Sequence, residues 1–124
     1  MRDYPTLQEA LAVQAMLIET YGGSEGVRDL GAVEAALFRP QSGYYNDIVE
    51  EATALMESLL INHAFVDGNK RVAFAVCHIF LDINGCELDA DSGWLYSHIL
   101  AWIEQKENRF ASMVNDLRSC ITQR

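Results

Sequence analysis

His63-Ala64-Phe65-Val66-Asp67-Gly68-Asn69-Lys70-Arg71 gathers an imidazole, a carboxylate, a glycine, an amide and two cations into nine consecutive positions. Apolar, helix-like sequence lies on both sides of it. Upstream, Ile48, Val49, Ala52, Leu55, Met56, Leu59 and Leu60 recur at helical spacing. Downstream, residues 72–83 are apolar at nearly every position, more than a one-faced surface helix carries. Gly68 and Asn69 interrupt the pattern, and both residue types tolerate turn conformations. The stretch therefore reads as a polar loop between two buried helices. The second helix would start with its free N–H groups aimed into the loop, a natural anion site. Lys70 and Arg71 add positive charge at the same end, and the anion expected there is a phosphate.

Outward from this loop the chain stays helical. Thr6-Leu7-Gln8-Glu9 is a capping box opening a helix to about Thr20. Three glycines in Tyr21-Gly22-Gly23-Ser24-Glu25-Gly26 make a loop. Asp29 caps a short helix through Leu37, stopped by Arg39-Pro40. Gln41 to Asn46 is a loop or a small hairpin, and Asp47 to Asn62 is the long amphipathic helix. The helix after the motif ends at Asn84-Gly85. Asp91 or Ser92 begins another, with Leu95, Ile99, Trp102 and Ile103. The last starts near Asn108 and places Phe110, Met113, Val114, Leu117 and Ile121 on one face. Strand-like alternation is nearly absent. The expectation is an all-α fold, a compact helical bundle forming one domain over residues 1–124, with at most one hairpin flap at 39–46.

Composition narrows the function. The chain has 124 residues, 50% of them hydrophobic, enough for a proper core. A formal net charge of −9 argues against binding DNA through the general surface, which requires a basic footprint. A bound nucleotide would be attracted locally, by Lys70, Arg71 and the helix end. No signal-like pattern opens the chain, and residues 72–83 are too few to span a bilayer. Cys77, Cys86 and Cys120 form no CxxC pair and read as reduced thiols. A cytoplasmic protein without membrane association is expected.

His63 to Arg71 resembles the signature of the Fic superfamily, HPFx(D/E)GNGR, and its form HAFVDGNKR is closer to the death-on-curing (Doc) toxins. The Tyr-Gly-Gly turn, Arg39-Pro40-Gln41, Gly43-Tyr44-Tyr45, Asn62 and Asn84-Gly85 are also Doc-like, so the resemblance covers nearly the whole chain. Doc proteins are toxins of type II toxin–antitoxin systems. They move a phosphate from a nucleoside triphosphate to a threonine of the elongation factor that delivers aminoacyl-tRNA, arresting translation.

The resemblance implies roles. His63 would be the base that takes the proton of the target hydroxyl, and a free imidazole titrates near pH 6.5, suited to that task. Asp67 would hold Mg2+, a hard cation that bridges phosphates. Gly68 and Asn69 would shape the phosphate site of ATP, and Lys70 and Arg71 would neutralise its charge. Phe65 would anchor the loop in the core. Tyr44 and Tyr45 would lie in a flap that docks the protein substrate by adding a strand. Two departures set this chain apart from adenylylating members: Lys70 replaces the second motif Gly, and Phe74 stands where a further Arg often follows. The inhibitory pattern (S/T)xxxE(G/N) is missing, because Tyr21 precedes Glu25-Gly26 and Ile103 precedes Glu107-Asn108 at the Ser/Thr position. The brake would then be a separate antitoxin, whose amphipathic helical segment folds into an apolar groove that includes the Trp94 to Ile103 helix.

Plainer readings stand beside these. A His near a helix end is often a cap, Asp67 could be a loop residue, and Lys70 and Arg71 could be solvated charges. Arg71, His78 and Asp82 could share a helix face and either line the site or pair internally, with internal pairing preferred. His98 reads as a surface residue, and Trp94 and Trp102 as core or groove residues. Three functions compete: a Doc-type phosphotransferase, a Fic-type adenylyltransferase, and a non-catalytic nucleotide- or peptide-binding module. Intact His63 and Asp67 count against the third, and Lys70 with Phe74 favours the first over the second.

Overall fold

Four helices begin where a short polar side chain accepts the first unpaired backbone N–H groups. The computed structural model describes residues 2–124. Thr6 Oγ1 accepts from Glu9 N–H at 3.1 Å while the Glu9 carboxylate accepts from Thr6 N–H at 2.9 Å, so the capping box opens α1 (Leu7–Tyr21). Asp29 caps α2 (Leu30–Phe38), Asp47 caps α3 (Ile48–Ile61) and Asp91 caps α5 (Ser92–Glu104). The other two, α4 (Asn69–Ile83) and α6 (Arg109–Arg118), follow residues in left-handed conformation, Gly68 and Asn108. Among the described residues, no side chain caps either of those two ends.

Helices α3 and α4 share the largest interface of the bundle. Leu55, Met56 and Leu59 of α3 and Val72, Val76 and Phe80 of α4 are almost wholly buried. The apolar run of α4 is not buried all round, contrary to its sequence pattern. Its core face is covered, but Phe74 and Ala75 are half-buried and line a surface groove, and Ile83 is exposed.

Two carboxylates are also buried on α3, and burial at that depth requires partners. Glu51 accepts from Arg2 Nη2 at 2.8 Å and from the Tyr4 hydroxyl at 2.5 Å. Burial and the Glu51 hydrogen bond hold the Tyr4 phenol above its ordinary range. Glu57 accepts from Arg39 at 2.9 Å and from Arg109 at 3.2 Å. These pairs tie the N-terminal segment, the residues after α2, and α6 onto the central helix.

Residues 39–46 take the loop form and not the hairpin. Arg39–Gln41 is a 3-10 turn with Pro40 in its first turn, followed by bends. The small antiparallel ladder lies elsewhere, between β1 (Cys86–Leu88) and β2 (Ile121–Gln123), with Leu88 opposite Ile121. Ile121, expected on the last helix, is therefore a strand residue, because α6 stops at Arg118. Three-residue strands carry too little alternation to announce themselves. The three cysteines are buried and unbridged, and burial pushes the Cys77 thiol up to about 12. No helix of the described residues is long and apolar enough to cross a membrane.

Candidate active site

The motif loop is held mainly through its backbone. Phe65, 1% exposed, forms an antiparallel bridge with Val27. The Ala64 carbonyl accepts from Arg28 N–H at 2.7 Å and Asp29 N–H at 3.0 Å, and Val66 N–H donates to the Gly26 carbonyl at 3.0 Å. The Asn62 side chain accepts from Ala64 N–H at 3.2 Å and donates to the Ala32 carbonyl at 3.0 Å. The glycine-rich turn after α1 thus backs the motif like a short extra strand.

On this scaffold the side chains of His63, Asp67, Lys70 and Arg71 are exposed, while those of Asn62 and Asn69 bond to the backbone. His63 is exposed and has a φ of 48°, a left-handed conformation that non-glycine residues adopt mostly where function or context demands it. Asp67 is exposed: Oδ1 accepts from Gly68 N–H at 3.0 Å and Oδ2 from Ser24 N–H at 3.3 Å. Gly68, at φ +75°, turns the chain into α4. Lys70 and Arg71 are exposed and form no salt bridge among the described residues. The Arg71 guanidinium lies 4.7 Å from the centre of the Tyr21 ring, a cation–π contact.

Chemically, this places an imidazole, a carboxylate, two free cations and an uncapped helix N-terminus on one nine-residue segment. The uncapped end and the two cations suit a polyanion. The donor set for a metal is sparse, since no group of three His, Cys, Asp or Glu side chains is assembled among the described residues. Asp67 alone fits Mg2+ bound in the usual way for phosphate chemistry, with one carboxylate and the remaining oxygens from water and phosphate. Beside the cations runs a groove of about 600 Å³ between α1, α4 and α5, lined by Leu17, Tyr21, Phe74, Leu95, Tyr96 and Ile99.

The Fic/DOC family pattern matches residues 4–81, which include the whole motif loop and the turn that backs it. The chain belongs to the Fic/DOC family. Over 96 residues it is 41% identical to Toxin Doc of Mycolicibacterium smegmatis, covering 73% of this chain and 72% of that protein. Over 85 residues it is 31% identical to Protein kinase doc of Escherichia phage P1, covering 65% and 68%.

Other residues singled out in this Fic/DOC chain separate in the structure. Tyr44 is 83% exposed, whereas Tyr45 is half-buried and its hydroxyl accepts from Arg39 Nε at 2.7 Å. Neither tyrosine hydrogen-bonds the motif loop among the described residues. Asp82 pairs with Arg124, which holds its carboxyl below the ordinary range, and, among the described residues, not with Arg71 or His78, so it has a structural partner outside that helix face. His98 is not a plain surface residue: its ring stacks on Trp94 at 3.7 Å and its Nδ1 lies 2.7 Å from the Trp94 carbonyl. The sequence assigns no site role to Gln14, Gly23 or Ser24, although Gln14 and Ser24 hydrogen-bond Asp67 and a Cβ at Gly23 would meet it. The available signal was Gln14 itself, a polar residue at a core position of α1 between Ala10, Val13 and Leu17.

Proposed function

We propose that this Fic/DOC protein is the toxin of a type II toxin–antitoxin pair and a Doc-like phosphotransferase. The carrying observation is the uncapped start of α4, with Lys70 and Arg71 beside it and His63 and Asp67 on the same hydrogen-bonded loop. A relative named a protein kinase and the Lys70 and Phe74 departures support phosphoryl over adenylyl transfer. The donor would be ATP, its phosphates facing the helix end, Lys70 and Arg71. His63 would take the proton as a Ser or Thr hydroxyl oxygen bonds to the γ-phosphorus and ADP leaves with the broken bridging bond. Mg2+ at Asp67 would supply charge neutralisation on the phosphates. Catalysis of this kind is positioning and electrostatics more than covalent chemistry.

The substrate class we infer is the elongation factor that delivers aminoacyl-tRNA, which sets the site of action in the bacterial cytoplasm. The antitoxin would lay an amphipathic helical segment into the groove formed by Phe74 of α4 and Leu95, Tyr96 and Ile99 of α5. Lys70 and Arg71 form part of that groove's lining, so an occupant would also cover the phosphate site. Expression in bacteria tests the toxin reading. Wild-type protein should arrest growth, His63→Ala should relieve the arrest, and the product of the neighbouring reading frame should restore growth. A wild-type protein harmless at high expression, with no partner present, would overturn it.

A further inference from the structure

Helix α1 carries a buried polar residue, Gln14, for which the proposed chemistry gives no use. Gln14 is 2% exposed. Its Nε2 donates to the Ser24 carbonyl at 3.3 Å and to the Asp67 carbonyl at 3.2 Å, and its Oε1 accepts from Gly26 N–H at 3.3 Å. The orientation of the amide follows from its partners, because two carbonyls need donors and an N–H needs an acceptor. One side chain therefore staples the glycine-rich turn to the motif loop. One bond is at the long end of the usual range and two lie just beyond it, so the geometry rests on the three together.

The consequence falls on the Asp67 carboxylate. Ser24, held by Gln14 through its carbonyl, turns its N–H onto Oδ2, while Gly68 N–H binds Oδ1. Both oxygens are thereby oriented and both keep lone pairs for another ligand. Gly23 completes the cradle. A Cβ at that position would lie 2.6 Å from Asp67 Oδ2 and 3.0 Å from Ile18 Cδ1, and its φ of +113° suits only glycine. Backing contacts of this kind orient metal ligands and tune their affinity.

We infer that Gln14, acting through the Gly23–Ser24 turn, is a positioning residue that sets the Asp67 carboxylate to receive a divalent cation, which rests on the reading of Asp67 as the metal-holding group. A merely structural Gln14 would lower stability when replaced and leave metal affinity alone.

The test uses the full chain with Mn2+ as the probe, measured by electron paramagnetic resonance in the presence of a non-transferable ATP analogue. Gln14→Met, which keeps the length and removes the bonds, should weaken Mn2+ binding about tenfold or more. Metal-free binding of the analogue should be unchanged. Gly23→Ala, on an exposed turn, should weaken Mn2+ in the same direction because its Cβ meets Oδ2 directly, and Gln14→Asn, too short to reach all three partners, decides the matter if Gln14→Met does not fold. In an Asp67→Asn background, Gln14→Met should add no further loss. If Asp67→Asn weakens Mn2+ while Gln14→Met and Gly23→Ala bind it as wild type does, the positioning role is overturned alone. If Asp67→Asn itself leaves Mn2+ affinity unchanged, the metal-holding reading falls and takes this one with it.

Discussion

The Asn69 side chain closes a ring on the backbone of Phe65: Phe65 N–H donates to Oδ1 at 3.0 Å and Nδ2 donates to the Phe65 carbonyl at 3.0 Å. The amide is thus engaged in holding the loop. Asn69→Ala removes both bonds and leaves two partly buried backbone groups without partners. We expect a loss of about 1–3 kcal/mol in stability, measured by urea denaturation, with activity falling through misplacement of His63 and Asp67. An inactive Asn69→Ala of wild-type stability would point instead to direct contact with the phosphates.

Arg39 joins the segment after α2 to α3 through Glu57, Ser58 and the Ala54 carbonyl, and holds Tyr45. Arg39→Ala would leave Glu57 with Arg109 alone. The Arg39 side chain is one-third exposed, so the cost should fall below the roughly 3–5 kcal/mol of breaking a fully buried pair. Denaturant unfolding of Arg39→Ala and Glu57→Gln checks this, and an unchanged midpoint for Arg39→Ala would remove the network as a support.

Asp47 makes stability depend on acid. Burial pushes its carboxyl up, but the Glu50 N–H and Arg118 outweigh that and hold it below the ordinary range. With the folded value below the unfolded one, the unfolded chain binds more protons in between. The contribution is present above an unfolded carboxylate pKa of about 3.9 and is lost as pH falls through the lower folded value. Urea midpoints measured from pH 7 down to pH 2 should show a smaller acid loss in Asp47→Asn than in wild type.

Lys70 makes no salt bridge among the described residues, which leaves its charge available at the start of α4. Lys70→Gly should weaken phosphoryl transfer and restore the motif glycine of adenylylating members. Product masses would show any AMP transfer that appears. Phosphotransfer at the wild-type rate in Lys70→Gly would make Lys70 an ordinary surface charge.

Legibility in the sequence followed the length of the signal. Thr6, Asp29, Asp47 and Asp91 each sit at a helix start, and caps are local, so they could be read directly. The motif loop was legible because its residues are consecutive. The β1–β2 ladder was not, since it joins three-residue pieces more than 30 positions apart. The contacts of Gln14 with Ser24 and Asp67 were hidden for the same reason, being pairings across sequence distance. The stacking of His98 on Trp94, one turn away, is not legible, because a lone histidine on a helix says nothing of its ring contacts.

The central claim is a phosphoryl transfer that needs His63, and the mass of the modified protein tests it most directly. Wild-type chain and His63→Ala are each incubated with ATP, Mg2+ and a bacterial lysate, and acceptor proteins are weighed intact. The account predicts a gain of about 80 Da on a Ser or Thr of the acceptor with wild type and none with His63→Ala. A gain of about 329 Da, the mass of an adenylyl group, or a phosphorylation that survives His63→Ala, would contradict it.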